Sequence, residues 1–261
     1  MAMIPFKIWA VASAVACAAF FWSPAFRPFV CAMVAALLAV FTWGIFSIRS
    51  NFFCAVFCGK PKETQKLCLT FDDGPDPNLT SDVLDLLDRY GFTATFFVIG
   101  NNALSYPEII KRASDLGHTI ACHDLSHSNL SNFRMSKALL RDISASKNII
   151  KEIIGKTPLL YRPPMGLMNP HIPGVLRQLG MHCIGWDKSA KDAGNRRQKR
   201  FKFIPQLARP GGIILLHDCL PKPELKSGFL LHLEKLFQAI KERGLKPVGV
   251  GELFNVNEYQ E

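Results

Sequence analysis

The feature that most constrains the fold is an alternation, from Lys66 onward, of short apolar runs with longer segments of helical pattern. Short β-rich runs that alternate with helical segments are typical of parallel strands joined by crossover helices. Because the runs are almost wholly apolar, we expect the strands to be buried on both faces. The pattern predicts an α/β fold with about seven parallel strands in a barrel or strongly curved sheet. The predicted strands are 66–71, 93–99, 119–122, 159–162, 182–186, 213–216 and 246–250.

The segments between these strands carry the start and stop signals of helices. Ser81 can cap a helix that runs to Tyr90, and Gly91 follows it. Four more helices are predicted, and each is followed directly by a glycine: 106–116, 136–154, 172–179 and 228–243.

The N-terminal part of the chain differs sharply from this body, since Lys7 and Arg27 are the only charged side chains before Arg49. The uncharged stretches 8–26 and 28–48 are each near the ~20 residues that a helix needs to cross the hydrocarbon of a bilayer. We therefore predict a transmembrane helical hairpin over residues 1–49 and a linker over 50–65. A cleaved signal peptide is the alternative for the first stretch, but the second stretch would still need a membrane.

The basic residues around these two stretches indicate an orientation. Lys7 precedes the first stretch, and Arg27 alone lies between the two. By the positive-inside rule, the body is predicted to lie on the cytoplasmic face of a bacterial inner membrane. The basic residues that follow the second stretch are Arg49, Lys60, Lys62 and Lys66.

The charge of the whole chain favours anionic surfaces or substrates, because 31 Lys and Arg outnumber 21 Asp and Glu and give a net charge of +10. The basic residues are dispersed, and their one cluster, at 196–202, is typical of a solvated loop. We therefore expect no nucleic-acid partner, and no protein partner is evident. The eight cysteines lie in or beside apolar runs, which predicts free thiols rather than a disulfide framework.

Polar motifs follow four of the predicted strands, at the end where a parallel barrel collects its catalytic groups. Adjacent carboxylates such as Asp72 and Asp73 are costly unless a cation compensates their charge. His123 and His127 have a spacing that suits one first-row metal. Each motif alone has an ordinary alternative, a simple turn for the first and a chance pair on a solvated helix for the second. The four motifs are 70–75, 123–127, 162–166 and 215–218.

Together and in this order, the four motifs resemble those of the polysaccharide deacetylase family, the NodB-homology domain of carbohydrate esterase family 4. The resemblance covers roughly residues 66–250, so the domain is expected over 66–255 as a distorted (β/α) barrel. It implies that Asp73, His123 and His127 bind one divalent metal ion. Zinc is the expected ion, and cobalt, nickel or manganese would suit the same ligands.

The resemblance also implies the roles of the other motif residues. Asp72 would be the general base, and Arg162 would orient it. His217 would be the general acid that protonates the leaving amine. The main-chain N–H of Met165, where the family usually has tyrosine, would donate to the oxyanion. Leu215 would line the pocket for the acetyl methyl group.

One motif departs from the family pattern. The segment from Trp186 to Asp192 resembles one that usually ends in Asp-Trp, but here Ala193 replaces the tryptophan. Trp186 is expected in the substrate pocket, and Asp192 is a candidate for tuning His217. The missing indole predicts a differently shaped substrate groove.

The predicted function is hydrolysis of N-acetyl groups on the sugars of a polysaccharide, peptidoglycan or lipid-linked glycan. The motifs do not name the acceptor, because the family shares them across substrates. A cytoplasmic body favours a lipid-linked sugar at the bilayer, whereas an outward body favours peptidoglycan or a secreted polysaccharide. Two alternatives are an esterase that removes O-acetyl groups and a catalytically silent, membrane-tethered glycan-binding domain.

Overall fold

The computed structural model describes residues 24–128, 131–192, 206–220 and 222–260, together with residues 11, 14, 15 and 18. Most of the first predicted span (8–26), Ala193 and the basic cluster at 196–202 lie outside the described residues. The second predicted span is helix α1 (Arg27–Phe46), which continues a 3-10 turn at Pro24–Phe26. Among the described helices, only this 23-residue unit is long and apolar enough to cross a membrane.

The body is built on one curved sheet in which all neighbouring strands are parallel. Its order is β1-β7-β6-β4-β3-β2-β9-β8, and β10 pairs with the start of β2. Among the described residues β1 and β8 end this sheet, so no pair between them closes it. The predicted α/β class with a curved parallel sheet is confirmed, with nine strands in place of seven. The strands are β1 (Val56–Phe57), β2 (Lys66–Asp72), β3 (Ala94–Val98), β4 (Thr119–Cys122), β5 (Thr157–Pro158), β6 (Leu160–Tyr161), β7 (His182–Ile184), β8 (Lys188–Ser189), β9 (Ile213–His217), β10 (Lys246–Pro247) and β11 (Tyr259–Gln260), of which β5 and β11 form a separate antiparallel pair.

The helices follow the predicted positions closely, with two additions. The first addition is α3, which ends just before Pro107, where the missing N–H of proline lets a new helix begin. The second is α8, which replaces the end of the strand predicted at 246–250. The strand stops at Pro247 and Gly249 caps the new helix. The helices of the body are α2 (Thr80–Tyr90), α3 (Gly100–Ser105), α4 (Pro107–Asp115), α5 (Ser136–Ile154), α6 (Ile172–Leu179), α7 (Lys226–Glu242) and α8 (Val250–Phe254).

The segment predicted as a linker, 50–65, contains strand β1 and so contributes to the sheet. Val56 and Phe57 pair in parallel with Cys183 and Ile184 of β7. The side-chain oxygen of Asn51 accepts a hydrogen bond from the N–H of Val56 at 2.8 Å, which fixes the start of the strand. Only the end of this segment, 60–65, has the polar composition of a loop. Val56 is buried, and its pairing with β7 satisfies its backbone.

The core has two layers because both faces of the strands are buried, as expected. Leu67, Leu69 and Phe71 of β2 face the outer layer of helices. Cys68 of β2 and Phe97 of β3 face the concave side, where residues of α8 join them. The concave side is therefore filled with apolar side chains as far as Phe97, which pairs with Asp72 at the end of β2. A site can form only beyond this level, where the strands finish.

The packing of α7 on α2 gives a stability test. The fully buried ring of Phe237 contacts the rings of Tyr90 and Phe92, with centroids 5.5 and 5.3 Å away. Phe237→Ala should lower the free energy of unfolding by about 3–5 kcal/mol, because it removes a large buried side chain and leaves a cavity. Denaturant unfolding followed by circular dichroism measures this. Leu231→Ala, on the same helix but 52% exposed, is the control and should have little effect; equal losses in both variants would contradict the packing.

Candidate active site

The parallel register brings the ends of four strands to one edge of the sheet. Asp72, the last residue of β2, lies opposite His217, the last residue of β9. Cys122 of β4 pairs with Tyr161 of β6, so the residues that follow them, His123 and Arg162, leave the sheet side by side. The motifs that are far apart in sequence therefore meet, as predicted from the parallel topology.

Three side chains at this edge can hold a cation. Oδ1 of Asp73 lies 3.4 Å from Nε2 of His123 and 3.3 Å from Nε2 of His127. The three ligand atoms lie within 4.8 Å of one another, and Oδ1 is buried without a hydrogen-bond partner among the described residues. One carboxylate oxygen and two imidazole nitrogens are the donors that zinc and its first-row neighbours prefer.

The neighbours of these three residues orient their donor atoms. Nδ1 of His123 lies 2.8 Å from the carbonyl oxygen of Arg162. A proton on Nδ1 would be donated there, which leaves the Nε2 lone pair facing Asp73. The side-chain amide of Asn102 donates to the carbonyl oxygen of Asp73 at 3.0 Å. Asp73 and His127 have left-handed backbones, with φ of 73° and 48°, and such strain is found mainly where a site requires it.

The charges of this group suit a cation. Burial alone would raise the pKa of Asp73, but its interaction with His123 and the neighbouring histidine charges lower that pKa well below its ordinary value. Burial alone would lower the pKa of His123, but the carboxylates of Asp72 and Asp73 raise it. The two carboxylates thus attract positive charge to the side of His123 that faces them. A divalent cation bound to a neutral imidazole would place positive charge at the same position, beside the two carboxylates.

Asp72 is held by a buried arginine. Nη1 of Arg162 donates to Oδ1 of Asp72 at 2.6 Å and to Oγ1 of Thr70 at 2.8 Å. Nη2 donates to the carbonyl oxygen of Gly185 at 2.8 Å. Arg162 is fully buried, and its guanidinium lies 4.0 Å from the centre of the Phe97 ring. The contacts fix one oxygen of Asp72 and leave Oδ2 on the side of His123, 3.8 Å from its Nε2.

His217 is held by Asp192, whose two carboxylate oxygens make separate contacts with it. Oδ2 accepts the main-chain N–H of His217 at 2.9 Å, and Oδ1 lies 2.7 Å from its Nδ1. Burial alone would lower the pKa of His217, but the charge and hydrogen bond of Asp192 outweigh it and raise the pKa to about 9. At neutral pH the ring is therefore protonated and can act as an acid.

The loop after β6 supplies the remaining predicted pocket residues. Pro164–Gly166 form a 3-10 turn in which Met165 has φ of 56°. The N–H groups of Gly166 and Leu167 are used inside this turn, since they donate to the carbonyl oxygens of Pro163 and Pro164. The indole of Trp186 packs against Gly166, and Leu215 is buried in β9, next to the strand that carries Asp72.

Comparison with known proteins agrees with this geometry. The sequence model described as polysaccharide deacetylase matches residues 59–184. A chitooligosaccharide deacetylase of Bradyrhizobium sp. (strain ANU 289) is 32% identical over 184 residues, which are 70% of this chain and 81% of the relative. A peptidoglycan-N-acetylglucosamine deacetylase of Bacillus cereus (strain ATCC 14579) is 33% identical over 196 residues, 74% of this chain and 90% of the relative.

The chain belongs to the polysaccharide deacetylase family. The crystal structure of the Bc1960 peptidoglycan N-acetylglucosamine deacetylase superposes with a TM-score of 0.68 at 26% identity, over 78% of this chain and 94% of that one. The resemblance inferred from the four motifs is thereby confirmed, and with it the enzyme class, hydrolases of linear amides in N-acetylated sugars. The relatives are metal-dependent as a family, and the Asp-His-His group described above is one that could hold a metal ion.

The deacetylase site contains a buried carboxylate beside His217 to which the motifs assign no role. Asp218 follows His217, is 1% exposed and accepts a hydrogen bond from Oγ1 of Thr80 at 2.7 Å. A Cβ added to Gly74 would lie 2.2 Å from its Oδ2, so this carboxylate packs directly on the turn that follows Asp73. Burial, and then the charges of the Asp73 and Asp72 carboxylates, raise the pKa of Asp218 to about 7. Gly74 is a sequence signal for this contact, because a side chain at that position would clash with the carboxylate of Asp218.

A titration tests how Asp192 acts on the deacetylase histidine. Asp192→Asn should lower the pKa of His217 from about 9 toward or below the ordinary value of histidine, because the charge is lost while burial remains. Nitrogen-detected NMR of the imidazole across pH 5 to 10 follows it. Asp187→Asn is a matched control, since that carboxylate bonds Arg209 and the N–H of Ile213. An unchanged pKa in Asp192→Asn would contradict the assignment.

Proposed function

We propose that this chain hydrolyses the N-acetyl groups of N-acetylated sugars in peptidoglycan, chitin-like oligomers or lipid-linked glycans, and that α1 holds it at a membrane. The single observation that carries the proposal is the convergence at one sheet edge of an Asp-His-His group, a buried arginine-bound Asp72 and an Asp192-bound His217. These are a cation site, a base and an acid, which together are what hydrolysis of an amide requires. The named activities of the relatives support the same reaction.

Asp73, His123 and His127 would hold one divalent ion, zinc by the nature of the donors. When bound, this ion would polarise the acetamide carbonyl and make water more acidic. Asp72 accepts the proton of the attacking water, and the hydrogen bond from Arg162 holds its carboxylate in a fixed orientation. The main-chain N–H of Met165 donates to the carbonyl oxygen as that oxygen gains negative charge.

His217 completes the reaction. The hydroxyl of water adds to the acetyl carbon, and the carbon–nitrogen bond then breaks with its electron pair on nitrogen. A proton from Nε2 of His217 reaches that nitrogen, so that acetate and a free amine leave. Asp192 supports this step because it orients the ring through Nδ1 and keeps it protonated at neutral pH. Trp186 and Leu215 would shape the pocket around the acetyl group.

The membrane side follows from the charges around α1. Arg49, Lys60, Lys62 and Lys66 follow the helix, which favours a body on the cytoplasmic face of the inner membrane. A lipid-linked N-acetylated sugar is then the substrate within reach. Protease accessibility of the body in intact cells tests the sidedness, and cleavage from outside would redirect the proposal to peptidoglycan.

Acetate release is the direct test of the reaction. Full-length protein in detergent, loaded with zinc, should release acetate and expose free amines on N-acetylglucosamine oligomers. An O-acetylated sugar tested in parallel distinguishes an esterase from an amidase. Release from the ester alone would replace the proposed reaction by O-deacetylation, and release from neither substrate would favour a glycan-binding domain.

Removal of a ligand should abolish both metal binding and turnover. Asp73→Ala and His127→Ala each take one donor from a group of three, so we expect loss of stoichiometric zinc and at least a hundredfold loss of kcat/KM. Metal content measured by mass spectrometry after gel filtration, beside the acetate assay, gives both numbers. Full zinc content in either variant would contradict the ligand assignment.

Removal of the base should abolish turnover without loss of bound zinc. Asp72→Asn keeps the size and hydrogen-bonding capacity of the side chain but cannot accept the proton, so zinc should stay bound while kcat falls by about 10²–10⁴-fold. A circular dichroism spectrum that matches the wild type guards against loss of the fold at this buried position. Wild-type turnover in Asp72→Asn would refute its role as base.

A further inference from the structure

The C-terminal end of α1 is fastened to the catalytic body instead of leading into a flexible tether. The carbonyl oxygen of Ile45 accepts a hydrogen bond from the main-chain N–H of Met168 at 2.9 Å. Gly44 lies so close to the ring of Phe52 that an added Cβ would be 2.4 Å from its Cδ1. Ile48, two residues past the helix, is 5% exposed and belongs to the main core. The direction of the helix is therefore set by the body.

The same end of α1 has the features of a membrane boundary. Trp43 is 55% exposed and Phe46 is 69% exposed, and the exposed Arg49 follows them. Tryptophan and basic residues in this order are typical of the level of the lipid headgroups. Ile45, which lies between Trp43 and Phe46 in the chain, is hydrogen-bonded to Met168. The loop that contains Met168 would therefore lie at the headgroup level as well.

Two loops of the active-site rim are tied to this level. The first is the loop 163–169, which contains Met165 and Met168. The second is the loop 131–135, because the side-chain amide of Asn169 donates to the carbonyl oxygens of Asn132 and Arg134 at 2.9 and 2.8 Å. Both loops are thus connected, by one main-chain hydrogen bond and two bonds from the Asn169 side chain, to the point where α1 would leave the bilayer.

These two loops carry exposed apolar side chains. Phe133 is 81% exposed, Met135 is 66% exposed and Met165 is 50% exposed. We name these three residues the rim patch. Large exposed apolar side chains on two loops that are hydrogen-bonded to each other indicate an interaction surface rather than an ordinary water-exposed surface. Their connection to α1 at the membrane boundary indicates what covers them.

We propose that the rim patch inserts into the headgroup region of the lipid bilayer, so that the active site opens at the membrane surface and takes N-acetylated sugars carried on a membrane lipid. This inference rests on the proposed deacetylase function and narrows its substrate class. Phe133 and Met135 supply apolar contact with the acyl boundary in the manner of an interfacial segment. Met165 belongs to the turn that donates to the oxyanion, so its insertion brings the mouth of the site to the sugar end of such a lipid.

Fluorescence quenching tests the insertion without any requirement for activity. In full-length protein reconstituted into phosphatidylcholine vesicles, the emission that Phe133→Trp adds to that of the parent should be quenched by lipids brominated near the headgroup end of the acyl chain. The control Leu231→Trp, on α7, should add emission that these lipids leave unquenched. Absence of quenching at position 133 would overturn the proposal, whether or not the protein hydrolyses sugars. If the emission at position 133 changes with protein concentration and not with lipid, the proposal is also overturned. The residue would then be covered by a second copy of the chain.

Activity on matched substrates tests the consequence. The double variant Phe133→Ser, Met135→Ser should keep kcat/KM for a soluble N-acetylglucosamine oligomer within about twofold and lose about tenfold for N-acetylglucosamine on a dioleoyl anchor in vesicles. Leu231→Ser should change neither value. Equal losses on both substrates would assign a structural role to the two residues and overturn the proposal. If no variant or parent hydrolyses either sugar, the deacetylase function fails while the quenching result still decides the insertion.

Discussion

The buried ion pair between Arg162 and Asp72 is the interaction on which both the fold and the site depend. Two charges at 0% and 3% exposure carry a large desolvation cost, which hydrogen bonds to other buried groups must offset. Arg162 meets that requirement by bonding to Thr70 and Asp72 of β2 and to the carbonyl oxygens of Ile184 and Gly185. The same bonds join β2 to the end of β7 across the concave side. The interaction that orients the candidate base therefore also stabilises the sheet. Removal of one partner of such a buried pair lowers the free energy of unfolding by about 3–5 kcal/mol.

The sequence allowed prediction of the elements whose signal is local. Buried parallel strands such as β2 and β4 are apolar runs, and helices such as α5 and α6 end at glycines, so their positions were predictable within a residue or two. Strand β1 was not, because two residues give no periodicity and Val56 becomes a strand only through its pairing with β7. Helix α8 was missed for a similar reason: Val250 continues an apolar run, yet its N–H bonds to Thr95 instead of continuing the sheet. Short elements are decided by tertiary contacts that a window of sequence does not contain.

The site shows the same division. Aspartates and histidines at strand ends, in a known order, were enough to name Asp73 and His123 as candidates. The backbone that makes them converge was not predictable, because neighbouring residues of a strand point to opposite faces and Asp72 and Asp73 would diverge. The left-handed φ of Asp73 ends the strand and turns its side chain toward His123 and His127. Such a conformation costs about 1–3 kcal/mol, and contacts from elsewhere, such as the amide of Asn102, stabilise it.

Some residues of the site lie on strands of the sheet, whereas Met165 lies on a loop that is attached to α1. A membrane that acts on α1 would therefore affect them differently. Asp72 and His217 end two central, mutually paired strands, so their separation is set by the sheet. Met165 lies on a loop in which Gly166 packs against Trp186 and Met168 bonds to the last turn of α1. A change in the tilt of α1 would therefore move the N–H of Met165, the proposed oxyanion donor, relative to the proposed base and acid, whose separation stays the same. Because positional errors of about 1 Å can cost a hundredfold in rate, the attachment of this helix end to the body would matter for the proposed reaction as well as for the proposed membrane anchoring.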